Sequence, residues 1–286
     1  MSDLLLASMA DGVLSGVVYG LAAMGLTLIF GVMNVINLAH GPIIALGMFG
    51  VYLLFTFLSI NPLIGLVIVA IFGLILGVAI YFVAVNRVIN APHLSSLLST
   101  YSVNLIIIGI GTAVFTTSFR NIDYSLGAFT FGPINVTGNR LGAALVALLV
   151  TGLLYLFLYR TRRGKYIRAV ANNRSAAELM GIASTHTLAL AFGIGTMLAT
   201  VAGGLIAISL PFTILSGGVY ELKSFVIVVL GGLGNPLGAL VGGVILGLIE
   251  GVVPVFMSTS LVPVLEFILF IVILLVMPQG IFGAKK

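Results

Sequence analysis

Cysteine is absent from the sequence, which removes disulfides, thiolate metal sites and cysteine nucleophiles together. Histidine is almost as scarce. His40, His93 and His186 lie far apart, so no motif has the spacing of metal ligands. Charge is thin as well: Asp, Glu, Lys and Arg make up 7% of the 286 residues, against about a quarter in a soluble domain. No polar stretch is long enough to fold as a nucleotide-binding or catalytic domain, which takes on the order of a hundred residues. The sequence therefore predicts no catalytic residue, no metal and no cofactor, and any ATP used must be bound by a separate subunit. The first eleven residues carry neither a basic n-region nor a cleavage site, so the first apolar segment is expected to stay as a membrane helix.

What is present is apolar. Hydrophobic residues make up 60% of the chain and the mean hydropathy is +1.30. The apolar residues come in runs near twenty, the length that crosses a bilayer core at about 1.5 Å per residue. Strands of a membrane barrel would be about ten residues of alternating polarity, and none of the long runs alternates. The prediction is an all-α fold: one polytopic transmembrane helix bundle over 1–286, set in membrane lipid, with no nucleic-acid partner. Spans fall near 13–33, 43–60, 63–85, 100–118, 141–159, 188–209, 236–253 and 262–278. A shorter apolar stretch at 225–230 belongs to a ninth segment, 217–233, expected to be a short or broken helix. Asn61-Pro62 should make a tight turn, and 120–140, with Asp123, Pro133 and Asn139, a longer exposed loop.

Charge sets the orientation. Six of the twelve basic residues (Arg160, Arg162, Arg163, Lys165, Arg168 and Arg174) fall in one short stretch. Basic residues beside membrane spans are kept on the cytoplasmic side, so the loop 160–187 is read as cytoplasmic and the N-terminus as outside. Three crossings after this loop would leave Lys285 and Lys286 outside. A fourth crossing by 217–233 brings them in. Glycines recur every fourth residue at Gly12, Gly16 and Gly20, at Gly73 and Gly77, at Gly238 and Gly242, and at Gly243, Gly247 and Gly251. Small residues at that spacing form a groove that admits another helix, and packing within the chain is the commoner use.

The loop has a pattern of its own. Ser175 reads as an N-cap with Glu178 three residues on, a capping box, and Gly181 as a C-terminal stop. Such a helix, with Ala176 and Ala177 on one face and Leu179, Met180 and Ile182 near its end, is suited to a partner's groove. A basic loop resting on anionic headgroups accounts for the same residues, and composition leaves both open.

Resemblance separates them. Ala176-Ala177-x-x-x-Gly181 resembles the Ala-Ala-x-x-x-Gly core of the "EAA" loop by which ABC-importer permeases engage their ATPases, although Ser175 stands where many importers have Glu. The run Gly164-Lys-Tyr-Ile-Arg168-Ala169-Val-Ala-Asn172, followed by Ala176-Ala177 and Leu179-Met180-Gly181-Ile182, resembles permeases of branched-chain amino-acid importers. Two further runs do the same: Gly20-Leu-Ala-Ala-Met-Gly-Leu-Thr-Leu-Ile-Phe-Gly31 continuing to Asn34-Val-Ile-Asn37-Leu-Ala-His40-Gly41, and Gly231-Gly232-Leu233-Gly234-Asn235-Pro236 through Gly242-Gly243. The likeness covers about 10–280 and is closer to the shorter of the two permease subunits. It implies a bacterial or archaeal cytoplasmic (inner) membrane protein working with a second permease subunit, two cytoplasmic ABC ATPases and an extracytoplasmic substrate-binding protein. Gly164, Arg168, Ala169, Asn172 and Ser175 to Gly181 would then be its coupling residues. The cargo would be a branched-chain amino acid; relatives carrying urea or short-chain amides keep those open. A secondary transporter working without ATP is the remaining alternative, and the central thirds of the spans hold almost no ionisable residue to serve it.

Polar residues within spans usually face the bundle interior. Asn34, Asn37 and His40, where the first span ends, read either as pathway wall or as cap and turn chemistry before Gly41-Pro42. Asn104 is either a pathway residue or an interhelical hydrogen bond. Glu250 and Glu266 sit near span ends, where an interfacial or Arg-paired carboxylate is the usual case.

Overall fold

Lipid offers the backbone no hydrogen-bond partner, so a spanning segment must satisfy its own amides, and an apolar run near twenty residues does so as a helix. The computed structural model describes residues 2–131, 134–277 and 279–283. In chain order it has α1 (Ser2–Met33), α2 (His40–Leu58), α3 (Pro62–Ile80, continued by a π-helical turn Tyr81–Val85), α4 (His93–Phe115), the antiparallel hairpin β1 (Ala128–Phe131) and β2 (Ile134–Thr137), then α5 (Gly138–Arg160), α6 (Arg162–Asn172) and α7 (Arg174–Leu179). There follow α8 (Ser184–Ser209), α9 (Ser216–Gly231), α10 (Pro236–Phe256), a 3-10 turn (Thr259–Leu261) and α11 (Val262–Val276). Among the described residues eight helices are long and apolar enough to cross a membrane. The fold is an all-α polytopic bundle, and the hairpin is the one strand pair among the described residues. Pro133, within the expected exposed loop, lies outside the described residues.

Segment 217–233 is a short helix, α9, with no break inside it. The break comes just after, where Gly232 and Gly234 take positive φ of 94° and 83°, a conformation open to glycine at little cost. The Asn-Pro pairs do the same job twice. Asn61 Oδ1 accepts from Leu63 N at 3.0 Å and Asn235 Oδ1 from Gly238 N at 3.1 Å. Each asparagine caps a helix whose first residue is proline, where the missing N–H costs nothing.

α8 is buried along nearly its whole length, between α1, α2 and α3. The glycine series pack within the chain. A Cβ at Gly12 or Gly16 of α1 would meet the carbonyl oxygens of Gly247 or Gly243 of α10 at 2.4 and 2.5 Å. Gly73 and Gly77 of α3 face Thr200 and Thr196 of α8, and Gly238 of α10 faces Gly231 of α9. The two threonines use the closeness. Thr196 Oγ1 donates to the Gly73 carbonyl at 2.9 Å and Thr200 Oγ1 to that of Val69 at 3.3 Å.

One connection departs from a simple surface turn. His40 Nε2 lies 3.0 Å from the Ala22 carbonyl, yet α1 runs eleven residues beyond Ala22 before it ends at Met33, roughly 16 Å at 1.5 Å per residue. Residues 34–39, non-helical backbone turned by Asn34 at φ 53°, together with the reach of the His40 side chain, span that distance. Asn34 is exposed at the turn, while Asn37 and His40 are fully buried. The expectation that all three sit together at the end of the first span holds for Asn34 alone. The bend cannot be read from the sequence, because what holds it comes from α4.

At the end of the bundle where the 231–236 turn lies, Ile281 N donates to the Leu230 carbonyl at 2.8 Å and Asn235 Nδ2 to that of Phe282 at 3.2 Å. The loop carrying α6 and α7 lies at this same end, since Arg168 and Asn235 line one cavity. Lys285 and Lys286, on which the expected side of the C-terminus turned, lie outside the described residues.

Candidate functional site

The basic loop is two helices rather than one, and its bounds are narrower than expected. α5 runs through Arg160 and α8 begins at Ser184, which leaves 161–183. Thr161 ends α5 and caps α6: its Oγ1 donates to the Phe157 carbonyl at 2.7 Å and accepts from Gly164 N at 3.0 Å. α6 then folds back on α5 so closely that a Cβ on Gly164 would stand 2.1 Å from the Phe157 oxygen and 2.6 Å from Leu158 Cα. Ile167 and Val170 are buried beneath it. Arg168 donates through Nε to the Leu158 carbonyl at 3.1 Å and lies 4.4 Å from the centre of the Tyr159 ring. The motif residues Gly164 and Arg168 thus fasten the loop to the bundle. Alanine at Gly164 is expected to lift α6 from α5, read as faster tryptic cleavage at its Arg and Lys residues. Unchanged cleavage would refute that fastening.

α7 begins on Asn173, whose extended backbone (φ −157°, ψ 104°) precedes the helix and whose Oδ1 accepts from Ala176 N at 3.0 Å. Ser175 is inside the helix, so the Ser175–Glu178 capping box does not form. Asparagine and serine cap about equally well, and the backbone between two consecutive helices gives the position to Asn173. Glu178 instead accepts from Arg174 Nε at 3.1 Å and from Ser184 Oγ. The Ser184 hydroxyl first, and then Arg174, hold its carboxyl below the usual range.

Gly181 ends α7 as the sequence predicts. It takes φ 81°, its N–H donates to the Glu178 carbonyl at 2.9 Å, and Ile182 N donates to that of Ala177 at 3.0 Å, the paired bonds of a Schellman closure. Ala177 is 5% exposed and faces the chain's own interior. Leu179 and Met180, 89% and 82% exposed, form the outward apolar face beside Ser175 and Ala176. Ala169 is half-buried and Asn172 exposed.

Three bonds tie α7 to the bundle: Arg174 Nη1 to Asn90 Oδ1 at 3.2 Å, in the turn before α4, and, at the start of α8, Arg174 Nε to Ser184 Oγ at 3.3 Å and Ser184 Oγ to Glu178 Oε1. α4 in turn grips the extended segment. Thr100 Oγ1 lies 3.3 Å from Leu38 N and 3.1 Å from the Ile36 carbonyl, and Asn104 Nδ2 donates to that of Leu38. Asn37 Oδ1 accepts from Ala39 N at 3.1 Å and sets the start of α2. Asn37 and Asn104 thus both bond the backbone of 38–39, while the His40 ring turns to Ala22 of α1 and Asn34 is exposed at the turn.

The opposite end holds the ionisable groups. Lys223 of α9 lies 2.7 Å from Glu250 of α10 and 3.8 Å from Glu266 of α11. The cation paired with these carboxylates is a lysine in place of the arginine weighed for them. Arg140 at the start of α5 pairs with Asp11 of α1 at 2.7 Å. Arg174, Asn90 and Ser184 were not singled out as loop contacts, because only the folded chain brings residues so far apart in sequence together.

Non-helical backbone at membrane depth is tolerated inside protein or beside a water-filled path, and transporters build their centres from such interrupted helices. Eight membrane-length helices among the described residues, with this non-helical segment between the first two, define the class: a polytopic helical membrane protein. The chain belongs to the family of permease components of branched-chain amino acid transport systems, whose family model matches residues 8–277. It is 31% identical over 302 residues to the high-affinity branched-chain amino acid transport system permease protein LivH of Salmonella typhimurium, covering 98% of this chain and 96% of that one. It is 29% identical over 298 residues to the corresponding protein BraD of Pseudomonas aeruginosa, with the same coverage. The ribose import permease protein RbsC of Escherichia coli is 31% identical over 191 residues, 62% of this chain and 58% of that one.

Proposed function

We propose that the chain is a permease subunit of an ATP-driven importer of branched-chain amino acids, forming the translocation pathway with a second permease. Its loop 161–183 faces the cytoplasm and seats on a separate ATPase, one of two that bind the ATP. A binding protein delivers cargo at the opposite face. The observation that supports this best is the outward pair Leu179 and Met180 on a helix closed at both ends. Exposed apolar side chains on a rigid element at a water-facing end mark a surface that a partner covers.

The bonded route inward suits that role. A push on α7 reaches α4 through Arg174 and Asn90, and α4 holds 36–38 through Thr100 and Asn104, beside the buried His40. Rigid helices carry such displacements as units, so ATP closure would move the interrupted wall of the pathway. Asn37, His40 and Asn104 are its proposed lining, with Asn34 at its mouth.

Reconstitution tests the reading. Liposomes with this chain, its partner permease, the ATPases and binding protein should accumulate leucine only with ATP, and this chain alone should move none. ATP-independent uptake by the chain alone would overturn the proposal in favour of a secondary carrier.

A further inference from the structure

Ionisable side chains in a membrane bundle pair with one another or serve a passing ligand, and the cluster at the end opposite the loop is left incomplete. Asp11, Arg140, Lys223, Glu250 and Glu266 surround one cavity of about 540 Å³ between α1, α9, α10 and α11, a volume within the roughly 300–1,000 Å³ of small-molecule sites. Three carboxylates meet two cations there, a net of one negative charge. Glu266 is 7% exposed, and its Oε1 is buried with no hydrogen-bond donor, as is Oδ1 of Asp11. Lys223 is ion-paired with that Glu266 oxygen at 3.8 Å, beyond hydrogen-bond reach, and makes its hydrogen bond to Glu250 at 2.7 Å.

A buried carboxylate oxygen without a donor is costly. An ammonium group brings three donors and a positive charge to face that oxygen. Arg140, on the same cavity lining, has five N–H donors, of which the Asp11 carboxylate engages Nη1, so donors remain for a second carboxylate. Val219, Leu222, Val262 and Phe267 complete the wall with apolar surface. A group with ammonium, carboxylate and a branched aliphatic side chain on one carbon matches all three.

We infer that this cavity is a binding site for a zwitterionic aliphatic amino acid, its ammonium on Glu266, its carboxylate on Arg140. The inference rests on the proposed cargo and adds a place for it inside the permease, on the face where cargo arrives.

The test uses the importer assembled with its partner subunits, free of binding protein, in nanodiscs, with radiolabelled L-leucine as the probe. Saturable binding is expected, weakened tenfold or more by Glu266→Gln, a near-isosteric change that should fold. Neither 4-methylpentanoate, which lacks the ammonium, nor 3-methylbutylamine, which lacks the carboxylate, should compete as leucine does. Absence of saturable binding, or binding unchanged by both Glu266→Gln and Arg140→Gln, would overturn the site. Equal competition by the amine would overturn the zwitterion. An assembly that binds leucine here but shows no ATP-coupled uptake would refute the proposed function alone, and uptake without binding here would refute this inference alone.

Discussion

Valine in place of Gly16 is expected to prevent the bundle from closing, seen as loss of the monodisperse peak in detergent and a large fall in melting temperature. A Cβ at this position meets the Gly243 oxygen at 2.5 Å and Val244 Cα at 2.9 Å. Both are backbone atoms of α10, which cannot swing aside as a side chain does. Lipid tails are as apolar as leucine, so no hydrophobic force presses helices together in a membrane, and close van der Waals contact must hold them. A gap of even 0.5–1 Å forfeits a quarter to a half of that attraction. The contact repeats along the helices, at Gly12 against Gly247 and at Gly20 against Leu240, so one obstruction opens the whole seam. Overpacking typically costs about 1–3 kcal/mol and occasionally more, and an obstruction against backbone belongs at the upper end. Gly152 of α5 is the control. Nothing lies within 4 Å of its Cβ position, and alanine there should hold or raise the melting temperature, by up to about 1 kcal/mol of helix propensity. A wild-type melting curve for Gly16→Val would refute the α1–α10 seam.

What the sequence revealed tracks how local each determinant is. Spans were legible because hydrophobic length is read directly, and the Asn61-Pro62 turn because cap and proline are neighbours. The stop at Gly181 was legible for the same reason. The start of α7 was misplaced by two residues, since Ser175 and Asn173 both suit a cap and the deciding feature, the extended backbone at Asn173, is imposed by α6. The depth of His40 was hidden because Thr100 and Asn104, more than sixty residues on, hold the segment before it. Lys223 was visible as a charge in an apolar stretch, but its partners lie on α10 and α11, and no periodicity links them. The proposed coupling residues divide on the same line. Gly164, Arg168 and Ala177 are bound up in the loop's own architecture, and Leu179 and Met180 are left for a partner.

That division makes the second large effect specific. Glutamate at both Leu179 and Met180 is expected to leave the permease inserted and folded while abolishing ATPase capture and reducing uptake to background. The loop's own bonds, Asn173 to Ala176 and Ile182 to Ala177, involve neither side chain, and both side chains are already in water in the free chain. Folding therefore loses little. Docking loses the burial of two large apolar side chains, about 1.5–3 kcal/mol each, and at 1.4 kcal/mol per decade the sum is about two to four decades of affinity. Burying two carboxylates in an apolar groove adds to the loss. Titrating labelled ATPase onto the nanodisc-held permease measures it directly. Ala177→Glu gives the contrast. That residue faces the interior, so its charge should break the loop itself, with fast tryptic cleavage preceding any loss of docking. If the double variant keeps wild-type ATPase affinity and uptake, the outward face of α7 is not the docking surface. A loss of affinity with cleavage still slow would locate the contact on these two side chains.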